Sequence, residues 1–175
     1  MKDDDKKKRE AYRLIEEGQA YVAQKRYSDA QKKFQESVDL YPTADGYTFL
    51  AWMYSFDGRY KEAIELCKKA IEIDPDYGNS YNDIGCYLIQ LQKEQDSIPW
   101  FEMAKKSKRY KPRHFPYLNL ARLYLRKEEI PKAKQEFSGV LQFDPQNVEA
   151  RFVLELLDDS KENKTARFSH LFSSN

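Results

Sequence analysis

Apolar residues return along this chain at helical spacings, and the whole pattern then repeats. Asp74-Pro75 closes the phrase Ala70-Ile71-Glu72-Ile73, and Asp144-Pro145 closes Val140-Leu141-Gln142-Phe143. Tyr41-Pro42 follows Ser37-Val38-Asp39-Leu40, and Pro112 is a looser fourth member. The four prolines stand 33, 37 and 33 residues apart. A period near 34 is that of a helix-turn-helix unit repeated in an array.

Four units come into register: 11–43, 44–77, 78–113 and 114–147. Counted from the start of each, position 4 reads Leu14, Tyr47, Tyr81 and Tyr117, and position 7 reads Glu17, Leu50, Ile84 and Leu120. Position 8 is small: Gly18, Ala51, Gly85 and Ala121. Position 11 reads Tyr21, Tyr54, Leu88 and Tyr124. On a second helix, position 20 reads Ala30, Ala63, Ser97 and Ala133, and position 24 reads Phe34, Cys67, Phe101 and Phe137. Position 27 reads Ser37, Ala70, Ala104 and Val140. Small residues at 8 and 20 let two helices approach, and large ones fill the space between units. No unit of this size buries its own apolar face, so each must stack on a neighbour.

These seven positions in four units, spanning residues 11 to about 146, resemble the tetratricopeptide repeat family. The resemblance implies an all-α, right-handed superhelical solenoid of antiparallel helix pairs. Departures are local. Glu17 stands at an apolar position, Ser97 replaces alanine, and unit three carries about two extra residues, which lengthen its second helix or the connection after it. Gly58 falls in the turn inside unit two, while Pro116 and Pro131 fall where first helical turns begin. Pro99 is expected in the first turn of a helix that starts late. Residues 148–159 read as an amphipathic capping helix through Val148, Phe152, Val153, Leu156 and Leu157. Residues 160–175 read as a polar, flexible tail. In it Phe168, Leu171 and Phe172 are spaced to dock in an apolar groove. Residues 1–10 form a charged extension in which Asp3, Asp4 and Asp5 precede Lys7, Lys8 and Arg9 by four. Two readings are open there: a helix beginning ahead of the first unit, or a solvated leader.

The family likeness implies further that first helices line a concave groove holding a segment of another protein, with positions 2, 5, 6, 9, 12 and 13 facing it. The candidate groove residues are Gln19, Thr48, Phe49, Trp52, Phe56, Asn82, Cys86, Asn119, Arg122 and Arg126. Phe49, Trp52 and Phe56 put three aromatics on one helix face, costly to expose unless something covers them. Each of Phe49 and Phe56 alone also reads as ordinary packing, so Trp52 is the leading anchor. Asn82, Asn119, Arg122 and Arg126 offer amide and guanidinium donors to a peptide backbone or carboxylate. Glu16, Asp45 and Asp83 make the groove acidic early, and the arginines make it basic late. Some relatives hold chaperone tails through a Lys/Asn/Arg clamp. The matching positions here hold Thr48 and Trp52, Asp83, then Phe115 and Asn119, so that clamp is not expected.

Composition narrows the partner. Across 175 residues, 30 Lys and Arg oppose 29 Asp and Glu, a net charge of +1, against a protein built mainly to neutralise phosphates. The basic run Lys105 to His114 is the one local exception, and runs of this kind are usually solvated helix ends. Mean hydropathy is −0.88 and no apolar run approaches a membrane span, so no membrane insertion is expected. Two cysteines, Cys67 and Cys86, fit a reduced, cytoplasmic protein. His114 and His170 are the only histidines; no phosphate loop, metal spacing or nucleophile–base pair appears. The expectation is a non-enzymatic protein-interaction scaffold or adaptor, with no catalytic residue, cofactor, metal or small-molecule substrate. The rival reading is a structural subunit that self-assembles through solenoid ends or the tail.

Overall fold

The structure is a computed structural model and describes residues 2–158, with side chains from residue 3. Phe168, Leu171 and Phe172, and the whole 160–175 segment, lie outside the described residues. Among these residues there are helices, turns and one isolated β-bridge. The chain divides into two units, Met1–Lys111 and Pro112–Asn175.

The first unit holds three helix pairs: α1 (Lys2–Ala23) with α2 (Tyr27–Leu40), α3 (Ala44–Phe56) with α4 (Tyr60–Ile73), and α5 (Gly78–Gln90) with α6 (Glu94–Lys106). α1 runs without a break through the charged N-terminal residues, so the helical reading of residues 3–10 holds. The small and large positions behave as packing demands. Ala30, Phe34, Ala63, Cys67, Ser97 and Phe101 are fully buried. Gly18 and Gly85 are small because Phe34 and Phe101 lie against them; a Cβ added at either would sit 2.4 and 2.5 Å from a ring carbon. Glu17 stays half-buried at the edge, where Arg13 and Lys33 neutralise it.

The helix ends follow from local chemistry. The Thr43 hydroxyl accepts the Gly46 N–H at 3.0 Å and caps α3. Asp74 is extended, as a residue before proline prefers, and ends α4. The turn inside each pair places its fifteenth position in the left-handed region: Lys25 (φ 60°), Gly58 (φ 71°), Gln92 (φ 60°) and, in the second unit, Glu128 (φ 58°). Arginine follows it at Arg26 and Arg59, each guanidinium lying over the position-11 ring, Tyr21 at 4.3 Å and Tyr54 at 4.0 Å.

One expectation needs correction, and one open alternative is decided. α6 begins at Glu94, so Pro99 sits in its second turn, beyond the first-turn N–H groups that need no intrahelical acceptor. The extra residues of the third repeat do not lengthen α6, which ends at Lys106. They make the connection 107–114, and its first part is bolted down. Arg109 N–H donates to the Asp76 carbonyl and Gly78 N–H to the Arg109 carbonyl, both at 3.0 Å. Tyr110 is buried beside Tyr81 and Ala104.

The second unit holds α7 (Phe115–Arg126), α8 (Ile130–Phe143) and a further helix, α9, over 148–158. Leu118, Ala121, Phe137, Val140 and Ala150 form its core, with Val153 and Leu154 packed against it.

Candidate functional site

In the first unit α3 touches both α1 and α5, and α2 and α4 pack from behind, so the three first helices form one inner face. The repeat frame sets its rows. Position 6 gives Glu16, Phe49 and Asp83; position 9 gives Gln19, Trp52 and Cys86; position 13 gives Ala23, Phe56 and Gln90.

Trp52 is 36% and Phe56 52% exposed, and their ring centroids lie 5.3 Å apart. Tyr27 on α2 supports Phe56 from the other side at 4.9 Å. The pair is an aromatic ledge held by its neighbours and open to solvent. Phe49 departs from this: it stacks on Phe34 at 5.1 Å with rings 14° apart and is half-buried. Its main role is packing between the first two helix pairs. Gln19 is exposed on α1, in the same row as Trp52.

Position 5 is corrected throughout. Ile15, Thr48, Asn82 and, in the second unit, Leu118 are all buried, at 4 to 9% exposure. The Thr48 hydroxyl donates to the Ala44 carbonyl and meets the Ser80 hydroxyl at 2.7 Å, so it is spent in the contact with the next helix pair. Thr48 does not line the face. The Asn82 amide reaches the Cys86 sulfur at 3.8 Å and also donates to the Asp83 carboxylate. Asn82 therefore orients groups on the face and is not itself open to a partner.

Asp83 is the unusual group. It is half-buried, and no cation pairs with it among the described residues. Burial pushes its carboxyl up to about 7, opposed by the Asn82 hydrogen bond. Cys86 beside it is half-buried; Cys67 behind it is fully buried, and burial raises its thiol well above the ordinary range. Neither cysteine forms a disulfide.

One cluster was not visible in the sequence. Arg109 pairs with both Asp45 on α3 and Asp74 at the end of α4, and its guanidinium lies 4.5 Å over the Tyr77 ring. Tyr12 donates to Asp45 at 3.4 Å, and Lys108 approaches Asp76 at 3.7 Å. The early acid Asp45 is thus neutralised from within the chain. The middle of the basic run is a latch rather than a free cationic patch. Sequence spacing gives no hint that a loop 64 residues away returns to Asp45.

The remaining candidates lie on α7 in the second unit. Arg122 is exposed, but its Nε–H donates to Glu149 at 2.7 Å, so it is an ion-paired residue and not an open carboxylate receptor. Asn119 is half-buried and Arg126 exposed.

Among the described residues no helix is long and apolar enough to cross a membrane, and no group of three or more His, Cys, Asp or Glu is placed to hold a metal.

A family model for the tetratricopeptide repeat matches residues 44–77, the span of α3, α4 and their flanking turns. In residues 44–77 this chain carries a tetratricopeptide repeat. Its fold is the all-α solenoid of that family. Human protein O-mannosyl-transferase TMTC3 is 29% identical over 126 residues, covering 70% of this chain and 13% of that protein. Rat mitochondrial import receptor subunit TOM70 is 26% identical over 144 residues, covering 80% of this chain and 23% of that protein. The repeat chain thus spans less than a quarter of either curated relative. PilF of Pseudomonas aeruginosa superposes with a TM-score of 0.79 at 21% identity, covering 96% of this chain and 79% of that one. At that identity the likeness is one of fold.

Proposed function

We propose that this tetratricopeptide repeat protein is a non-enzymatic binding module, and that the inner face of its first unit receives an extended or helical segment of another protein. The observation that carries this is the open aromatic ledge of Trp52 and Phe56 on α3, flanked by Gln19 and Cys86. Exposed paired aromatics lose water-facing area when a partner covers them, and such residues dominate binding energy at interfaces. Asn119, Arg122 and Arg126 are a secondary set on α7, with Arg122 able to serve only by exchanging Glu149 for a partner's carboxylate. A scaffold or adaptor role in the cytoplasm fits this reading. TMTC3 is named as a transferase, but the matched part is a small share of that protein, and no transfer chemistry is proposed for this chain.

The test is selection of random displayed peptides on the full chain, followed by titration of the selected peptides. Trp52→Ala and Phe56→Ala are each expected to weaken binding at least about tenfold. Selected peptides that bind both variants as well as the parent protein would remove the face from consideration.

A second reading, self-assembly through the solenoid end, is favoured by one observation. On α9, Val148, Phe152 and Leu156 are 80%, 63% and 56% exposed on one stripe.

A further inference from the structure

We infer that the segment bound by the first unit is cationic as well as apolar, a peptide that sets a Lys or Arg against Asp83 and Glu16 while an apolar side chain covers Trp52 and Phe56. This rests on the proposed reading of that face as a peptide groove.

The chain has 30 Lys and Arg, yet none occurs at 14–23 of α1, in α3 or in α5. Those three stretches make the inner face, and their acids are Glu16, Glu17, Asp45 and Asp83. Two are already neutralised: Glu17 by Arg13 and Lys33, and Asp45 by Arg109. Glu16 and Asp83 remain without a cation among the described residues. They flank Phe49 in the position-6 row, one row from Trp52. Arg109 does not supply the missing charge, because its guanidinium is held between Asp45 and Asp74 and over Tyr77.

Asp83 makes this more than a surface charge pattern. A carboxylate that is half-buried, with a neutral amide as its hydrogen-bond donor, is poorly solvated. A partner's cation arriving there gains a charge-assisted hydrogen bond where screening by water is weakest. An acidic segment meets the opposite: two like charges, with no Lys or Arg in residues 14–23, α3 or α5 to offset them. The ledge beside it covers the apolar part of the same segment.

The test uses the full chain and two short fluorescein-labelled peptides with the same Leu and Ala positions, one carrying Arg where the other carries Glu. Fluorescence anisotropy at low and physiological salt gives the affinities. The Arg peptide is expected to bind at least about tenfold tighter, with an advantage that shrinks as salt rises. In Asp83→Asn and in Glu16→Gln that advantage falls several-fold, while Trp52→Ala weakens both peptides. Circular dichroism confirms that each variant keeps its helices; Glu16 is exposed, so the Glu16→Gln arm reads out even if Asp83→Asn perturbs packing. Equal binding of the two peptides, lost in Trp52→Ala, overturns the cation preference and leaves the groove standing. Arg-peptide binding that none of the three variants changes overturns both. An Arg peptide that does not bind at all overturns the cationic assignment, and peptides selected from a random library then decide the groove on their own.

Discussion

At the scale of single residues, Asp83 ties binding to stability. Its carboxyl titrates near 7 in the fold and near 3.8 when unfolded. Between those values the folded protein holds a proton that the unfolded chain has released. The folded state binds more protons, so stability falls as pH rises from about 4 towards 7, then stays at its lower level. The titratable side chains facing Asp83 are Tyr87 and Cys86 on its own helix, Cys67 on α4, Tyr77 ahead of α5 and Tyr110 after α6. Burial raises Cys67, Tyr77, Tyr87 and Tyr110, so none of these four titrates in that window. Asp83→Asn is therefore expected to stabilise the protein by on the order of 1 kcal/mol at about pH 8, with the gain vanishing near pH 4. Urea titrations at both pH values measure it. An equal effect at the two would assign the change to packing and not to charge.

At the scale of helices and turns, most of the fold was legible because the repeat states the same packing problem four times. Ala30, Ala63, Ser97 and Ala133 are all fully buried, as are the position-24 residues facing them. What periodicity does not distinguish is a side chain facing the groove from one turned a few tens of degrees towards the next pair. Thr48 and Asn82 were misplaced for that reason, since both are polar and only the contact with Ser80 or Cys86 reveals what they satisfy. The Arg109 latch was illegible for another: it depends on an insertion that breaks the period. The turns hold a prediction of their own. Position 15 has positive φ in all four units, but only Gly58 is glycine. Lys25, Gln92 and Glu128 are exposed, so replacing them removes little packing. A non-glycine residue in this region costs roughly 1 kcal/mol, partly offset by the greater freedom of glycine in the unfolded chain. Gln92→Gly and Glu128→Gly are each expected to stabilise by about 0.5 kcal/mol, and to act additively because they lie in separate units. Thermal melts of the single and double variants test this. Loss of stability in both would mean that side-chain contacts at these turns outweigh the backbone strain.

At the scale of the molecule, α9 decides between a monomeric module and a self-assembling one. In the repeat frame Phe152 stands at position 5, and that position is buried in every earlier repeat, Thr48 among them against Ser80 of the next helix pair. Here Phe152 is 63% exposed, with Val148 and Leu156 on the same stripe, so α9 presents the stacking face that a cap would bury. Arg151 and Glu155 flank the stripe, both exposed, and an antiparallel pairing of two α9 helices brings Arg151 of each copy near Glu155 of the other. Burying three apolar side chains from each copy supplies roughly 1.5 to 3 kcal/mol apiece at most, against an association cost of about 4 to 15 kcal/mol. The balance predicts a weak dimer that forms only as concentration rises. Light scattering coupled to size-exclusion chromatography, run from dilute to concentrated protein, should show the mass climbing towards twice the monomer. Phe152→Asp places a charge in the middle of the stripe and should hold the protein at monomer mass throughout. Because Phe152 is exposed and lies outside the second unit's core, the same variant should keep its melting temperature and its peptide binding on the first unit. A parent protein that stays monomeric at every concentration would assign the stripe no role in self-association, and the binding module would then stand as the whole of the reading.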